Sequence, residues 1–298
     1  MSKLTIIMYH YVRDLQKSAF PRIKGLDIYS FKRQLDFLQA KYTFFSMEDL
    51  KVCIETFASL PDNACWLTFD DGYSDHYEYV FPELVSRGIE GAFFPPVKPV
   101  TERKMLDVNK IHFILASVDD VSVIVKELSL LYLKNDLSQD TGKSFDDYWS
   151  ALAKPGRFDS ADVIFIKSIL QYALPENWRI LFSDILFEKY VSVDVHAFAD
   201  DLYMSSKNLS EMVQAGMYVG SHGYNHLWLG KENHQTQLEE IEKSLVFLES
   251  VGAQTDDWVM CYHHGSYNGE TLEILKAKGC LAGLTTKVGV ADLQHHSH

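Results

Sequence analysis

The chain has 298 residues, 47% of them hydrophobic, enough to build a full core in one large α/β domain or two medium ones. Its formal net charge is −13, from 28 Lys plus Arg against 41 Asp plus Glu, which argues against a nucleic-acid footprint because phosphates demand a basic surface. The sequence shows no secretory h-region, no basic amphipathic stretch and no apolar run long enough for a membrane span, so the expectation is a cytoplasmic protein.

In chain order, "KLTIIMYH" (3–10) predicts a first strand. "YSFKRQLDFLQAKY" predicts a helix with Phe31, Leu35 and Leu38 on one face and Ser30 as its cap. "SMEDLKVCIETF" opens with Ser46 and Asp49 in capping-box spacing. "ACWLTF" (64–69) is continuously apolar, as a strand buried on both faces of a parallel sheet should be. A helix follows from about Asp75 to Arg87, then a strand around "GAFFPPV". "MYVGSH" (217–222) predicts another strand, and "QTQLEEIEKSLVFLESVG" a helix that aligns Leu238, Ile241, Leu245 and Leu248. "WVMCY", "GETLEILKAKG" and "CLAGLTT" complete an alternation of strands and helices, the pattern of βα units and an α/β fold with a parallel sheet. Residues 108–201 break this rhythm with helical spacing throughout, and are read as a helical insertion or lid within a single domain spanning 1–298. The four cysteines, Cys53, Cys65, Cys261 and Cys280, form no CxxC pair and read as small buried residues of a reducing compartment. The histidine-rich end "LQHHSH" is assigned no role.

Chemistry concentrates in two stretches. In "LTFDDGYSDHYEYVFPEL", Asp70 and Asp71 directly follow the apolar strand, where buried carboxylates need compensation. "GSHGYNH" sets His222 and His226 in an HxxxH pattern, also just after a strand. Two imidazoles and one carboxylate can hold zinc and leave a position open for water. The C-terminal strand ends of a parallel sheet share one face, which would bring Asp71 to the two histidines. Asp70 is then not needed as a ligand; a nearby cation keeps it ionised and able to take a proton from water. His10, which ends the first strand in "MYHYV", is read either as a satisfied core histidine or as the missing acid for the leaving group.

"LTFDDGY", "GSHGYNH" and "YHHGSYN", in this order, resemble the leading motifs of the polysaccharide deacetylases, the NodB homology domain of carbohydrate esterase family 4. The resemblance covers roughly residues 1–97 and 205–286. It implies a distorted (β/α)7 barrel with the helical segment as a large insertion, and metal-dependent hydrolysis of an N-acetyl group on an amino sugar. It implies that Asp70 is the catalytic base and that Asp71, His222 and His226 bind Zn2+, with Co2+, Ni2+ or Mn2+ as alternatives. It also implies a backbone amide at His264 as an oxyanion donor. The "YH" start resembles a circularly permuted branch whose histidine supplies the catalytic acid, which favours His10 in that role.

The chain departs from the family in several places, the late leucine-x-histidine motif that carries its catalytic acid among them. The third motif has no arginine to orient the base, His263 and His264 stand where Pro and an aromatic residue are common, and Gly223 replaces a frequent Ser or Thr. Tyr73, Trp228 and Tyr267 flank the motifs and are read either as substrate-binding residues that stack on a sugar ring or as ordinary packing. Without an export signal, the expected substrate is an amino sugar met in surface polysaccharide synthesis: a glycan precursor, a lipid-linked saccharide or a nucleotide sugar. The alternatives are a deformylase on a formylated amino sugar and an inactive sugar- or metal-binding relative. Nothing in the sequence fixes an oligomeric state.

Overall fold

The computed structural model describes residues 3–293, so residues 294–298 of the histidine-rich end lie outside the described residues. The strands are β1 (Lys3–Tyr9), β2 (Val12–Arg13), β3 (Leu26–Asp27), β4 (Thr43–Phe44), β5 (Ala64–Asp70), β6 (Ala92–Phe94), β7 (Tyr218–Val219), β8 (Trp258–Cys261), β9 (Cys280–Leu284) and β10 (Ala291–Asp292), with helices between successive strands from β3 to β9. The hub is β5, which pairs in parallel with β1, β4 and β6, while β6 continues in parallel to β7. A parallel bridge between Ser221 and Met260 carries the series from β7 to β8, which pairs in parallel with β9. At the other end β10 lies antiparallel to β1. These ladders establish a parallel α/β series running from β1 to β9, with β10 added antiparallel at the β1 edge; a closed seven-fold barrel would require its two ends to meet.

The reason β5 is apolar throughout lies in its two faces. Cys65, Leu67 and Phe69 pack with Phe93 and with Phe31, Leu35 and Leu38 of the Ile28–Lys41 helix. The alternate residues Ala64 and Trp66 enter a second cluster with Ala92, Phe94, Tyr218 and Val259. Side chains alternate along a strand, so Thr68 and Asp70 continue the row of Ala64 and Trp66. Register then fixes the neighbours of the site: Tyr9 pairs with Phe69 and Asp70 with Phe94, which puts His10 at the level of Asp70 where the first strand ends.

Most sequence expectations for this series hold, with local corrections. The Ile28–Lys41 helix is capped by Asp27, whose side chain accepts from the Tyr29 amide; Ser30 lies inside the first turn because β3 runs straight into the helix. The Ser46–Asp49 capping box forms as the spacing predicts. The helix expected from Asp75 begins as a π-helical turn, His76–Val80, before the α-helix Phe81–Arg87, with Pro82 and its missing N–H at the junction. The His234–Ser250 helix buries Ile241 and Leu248 fully and Leu238 and Leu245 in part.

The chain divides into two compact units. The first comprises the chain up to Asp14, Gly25–Lys104 and the chain from Ala199 on, and holds all ten strands of the described residues. The second comprises Leu15–Lys24 and Met105–Phe198. Its described helices include Asp107–Ser117, Ser122–Lys134, Phe145–Leu152, Ala161–Ser168 and Glu176–Tyr190, around a core containing Ile111, Phe113, Phe165, Phe182 and Phe187. Phe20 packs edge-on to Phe113 at 5.1 Å, so the short Leu15–Lys24 segment, absent from the sequence bounds of 108–201, contributes to that core. No helix among the described residues is long and apolar enough to cross a membrane.

Candidate active site

The site begins where β5 stops. Asp71 has a left-handed backbone (φ 71°) and is followed by Gly72 (φ 66°), a sharp exit anchored by the Asp71 amide donating to the Phe94 carbonyl at 3.1 Å. A Cβ on Gly72 would lie 2.8 Å from Cβ of Pro95, so only glycine fits there. The turn leaves both carboxyl groups buried, each residue 3% exposed. After β7 the chain makes a comparable loop, with Gly223 at φ 67° and His226 at φ 61°. Glu240, buried on the inner face of the His234–Ser250 helix, holds this loop. Its carboxylate accepts from the amides of Tyr224 (3.0 Å) and Asn225 (2.7 Å) and from the Asn225 side-chain amide.

Asp71, His222 and His226 converge, their ligand atoms lying within 4.8 Å of one another. Asp71 Oδ1 faces Nε2 of His222 at 3.5 Å and Nε2 of His226 at 3.4 Å, yet has no hydrogen bond. Its other oxygen accepts from the Tyr73 hydroxyl at 2.6 Å. His222 Nδ1–H donates to the Cys261 carbonyl at 2.7 Å, because a carbonyl can only accept. In the neutral ring Nε2 therefore carries a lone pair and points it at a carboxylate oxygen. A cation between such atoms turns that repulsion into coordination, and a carboxylate with two imidazoles is a donor set that Zn2+, Co2+, Ni2+ or Mn2+ accepts. The residues present fit a metal ion.

Electrostatics separate the two aspartates. Burial alone pushes the Asp71 carboxyl up; without an ion, the two facing imidazoles in their protonated form outweigh it and hold it well below the usual carboxylate range. Burial dominates at Asp70 and raises it, opposed by the charges of His222 and His10. Asp70 Oδ1 is buried without a partner, and Oδ2 accepts from the Cys261 thiol at 3.4 Å. Burial, then the Asp70 charge, pushes that thiol well above its ordinary range, so an S–H faces the carboxylate.

The other candidates take varied positions. His10 lies beyond β1 within electrostatic reach of Asp70 and Asp71, and its carbonyl accepts from Nε2–H of buried His76 at 2.6 Å. His264 has a left-handed backbone (φ 56°); its ring lies 4.8 Å from His226 and stacks on Trp228 at 4.2 Å. That stack covers one face of Trp228, and the Lys231 ammonium sits 4.5 Å from the same ring's centroid. Tyr267 is 44% exposed and stacks on Tyr262. Tyr73, a candidate for sugar stacking, is instead fully buried against Tyr11, and its hydroxyl serves Asp71. His263 is buried against the rings of His222 and His226, at 4.8 Å from each, and its Nδ1–H donates to the Leu227 carbonyl. A Cβ on Gly223 would come 2.5 Å from His263 Nε2, so the glycine and the histidine are one steric unit. Sequence reasoning missed Glu240 and the Cys261 thiol. A glutamate beside the apolar stripe of "QLEEIEKSL" was the available signal for the first; the second had none nearby in the chain.

Comparison with known proteins points one way. The family model described as Polysaccharide deacetylase matches residues 179–283, a stretch holding His222, His226, His263 and His264 but not Asp70 or Asp71. The protein YxkH of Bacillus subtilis (strain 168), whose name assigns it to the polysaccharide deacetylases, is 30% identical over 90 residues, covering 30% of this chain and 32% of that relative's length. The chain resembles the polysaccharide deacetylases. Among solved structures, the Streptococcus pyogenes deacetylase PplD aligns with a TM-score of 0.58 at 17% identity, over 99% of this chain and 88% of its own. A de-N-acetylase from Aggregatibacter actinomycetemcomitans aligns at 0.56 and 14% identity, over 99% and 92%. IcaB from Ammonifex degensii aligns at 0.53 and 16% identity, over 97% and 93%. At these identities the likeness to the solved deacetylases is one of fold.

Proposed function

We propose that this protein is a metal-dependent N-deacetylase that hydrolyses the acetamide of an amino sugar in surface polysaccharide synthesis. The observation that carries the reading is the convergence of Asp71, His222 and His226 beside a buried carboxylate, Asp70, that none of them needs as a ligand. A pure binding site gains nothing from a buried carboxylate with an oxygen left open. A hydrolase needs one.

Asp71, His222 and His226 would hold the ion, with Tyr73 and the Cys261 carbonyl fixing the orientation of two of them. When bound, the ion supplies Lewis acidity to the amide carbonyl. Asp70 takes the proton of the attacking water, a role suited to a carboxylate whose basicity burial has raised. His10, level with Asp70 in the parallel register, gives a proton to the departing nitrogen. The amide at His264, beside the ligand His226, donates to the oxyanion, where such a donor is typically worth ~3–4 kcal/mol. Acetate and the free amino sugar leave. The amino sugar of a cytoplasmic glycan precursor, nucleotide sugar or lipid-linked saccharide is the substrate class we assign. The helical unit, inserted in the chain between Asp71 and His222, is assigned to substrate choice; the frame of the α/β unit is taken as the distorted (β/α)7 barrel and its "YH" start as the permuted arrangement.

Metal content by mass spectrometry and acetate release from N-acetylated amino sugars test this together. The expectation is about one ion per chain, lost in Asp71→Ala, and turnover that Asp70→Asn lowers on the order of 10³-fold while the ion stays bound. Formate release from formylated amino sugars without acetate release would move the assignment to a deformylase. A chain that takes up no zinc or cobalt on reconstitution would end the hydrolase reading.

A further inference from the structure

Cys261 ends β8 and touches the site through two different atoms. Its carbonyl accepts from Nδ1 of His222 at 2.7 Å, and its thiol reaches Oδ2 of Asp70 at 3.4 Å, across 191 residues of sequence. The residue is pinned from behind: its amide donates to the Ser221 carbonyl at 2.9 Å, and the neighbouring Met260 bridges to Ser221. Asp70 is 3% exposed, and its other oxygen, Oδ1, is buried without a hydrogen bond. A buried carboxylate with one neutral donor on one oxygen has its second oxygen aimed by that donor. The third motif, "MCYHHG", has no arginine to orient this base, and within the described residues the thiol is the side chain that meets it.

We propose that Cys261 is the positioning residue for Asp70: its S–H holds Oδ2 so that Oδ1 faces the attacking water, while its carbonyl sets the orientation of His222. This rests on the deacetylase reading of Asp70, and it assigns to one strand end the alignment of both a ligand and the base. The choice of a thiol has a chemical consequence. S–H is a weak donor and carries no charge, so it directs the carboxylate without neutralising it, as a guanidinium would. The base keeps its proton affinity and gains a fixed direction.

Two independent readouts test the proposal. The first needs no substrate: the S–H stretching band in the infrared falls where few other protein groups absorb. The Cys261 band, identified by its disappearance in Cys261→Ser, should sit at lower frequency in the wild type than in Asp70→Ala, which removes the acceptor. A band that does not move between those two proteins overturns the proposal, whatever the enzyme does. The second is kinetic, with acetate release from N-acetylglucosamine oligomers as the probe. Cys261→Ala, which keeps the backbone carbonyl, should lower kcat about five- to ten-fold, the scale of one lost hydrogen bond, with KM and bound zinc unchanged. Cys261→Ser, which restores a hydroxyl donor, should recover most of that loss. Wild-type kcat in Cys261→Ala would overturn the positioning role. If the wild type itself releases no acetate from any amino sugar, the deacetylase reading has failed, and the infrared shift alone decides whether the thiol holds Asp70.

Discussion

Asp71 divides its work between two oxygens. Oδ1 looks at the two imidazoles, and Oδ2 accepts from Tyr73, whose ring is locked by stacking on Tyr11 at 4.1 Å. Removing only that hydroxyl, in Tyr73→Phe, should keep the fold and cost roughly 10-fold or more in zinc affinity, measured by competition with a chelator. Unchanged affinity would mean the carboxylate is oriented by its backbone turn alone. His76 makes a different prediction, because it is fully buried and its charge cannot be solvated. Burial, opposed by its bond to the His10 carbonyl, lowers its pKa from the ordinary 6.5 to about 4. The unfolded chain therefore binds a proton that the folded chain refuses between those values. The stability this contributes is complete above pH 6.5 and is lost as pH falls towards 4. Between pH 7 and pH 5 the wild type should lose about 2 kcal/mol more than His76→Gln, which keeps a donor for His10 and does not titrate. Urea titrations of both proteins at the two pH values measure it. Equal losses would sink the assignment.

At the level of elements, β5 was legible because a strand buried on both faces writes an unbroken apolar run, "ACWLTF", into the sequence. The HxxxH loop was legible as a motif but not as a structure, because what shapes it comes from elsewhere. Glu240 sits on the next helix and satisfies three N–H donors of residues 224 and 225, and no local pattern announces that. The same holds for Cys261 against Asp70, for Asp27 displacing Ser30 as a cap, and for Tyr73 turning inward to a carboxylate instead of outward to solvent. Short-range periodicity fixes elements; contacts between distant loops depend on how those elements pack, and one sequence does not display that. Glu240→Ala tests how much the loop depends on its anchor. Three donors would lose a charged acceptor in a buried setting, so the urea unfolding free energy should fall by about 3 kcal/mol with an unchanged m-value. Zinc binding should weaken with it, since both candidate ligand histidines flank residues 224 and 225. Loss of zinc affinity with no change in stability would mean that Glu240 shapes the loop without stabilising the fold.

The whole chain leaves its α/β unit twice, at Leu15 and at Met105, and returns at Gly25 and at Ala199. Asp70 and Asp71 lie before the second excursion and His222 and His226 after it, so the longest sequence gap in the site is filled by helices with their own apolar core. The sequence marked that excursion by its helical spacing. It did not reveal that Leu15–Lys24 joins it, because ten residues with one aromatic anchor, Phe20, carry no period to read. All three candidate ligands and the proposed base therefore belong to one unit, and this has a thermodynamic consequence. A ligand stabilises what it binds, by an amount set by its concentration over its dissociation constant. Zinc added to the metal-free protein should slow amide hydrogen exchange in β5, in β8 and across residues 218–226. It should leave exchange in the helices Asp107–Ser117, Ser122–Lys134 and Glu176–Tyr190 at its zinc-free rate. Slowing confined to the first unit would show that the site assembles without help from the helical one, which leaves that unit free to vary with substrate. Equal slowing in both would make the two units one cooperative body and assign the helices a part in holding the metal site together.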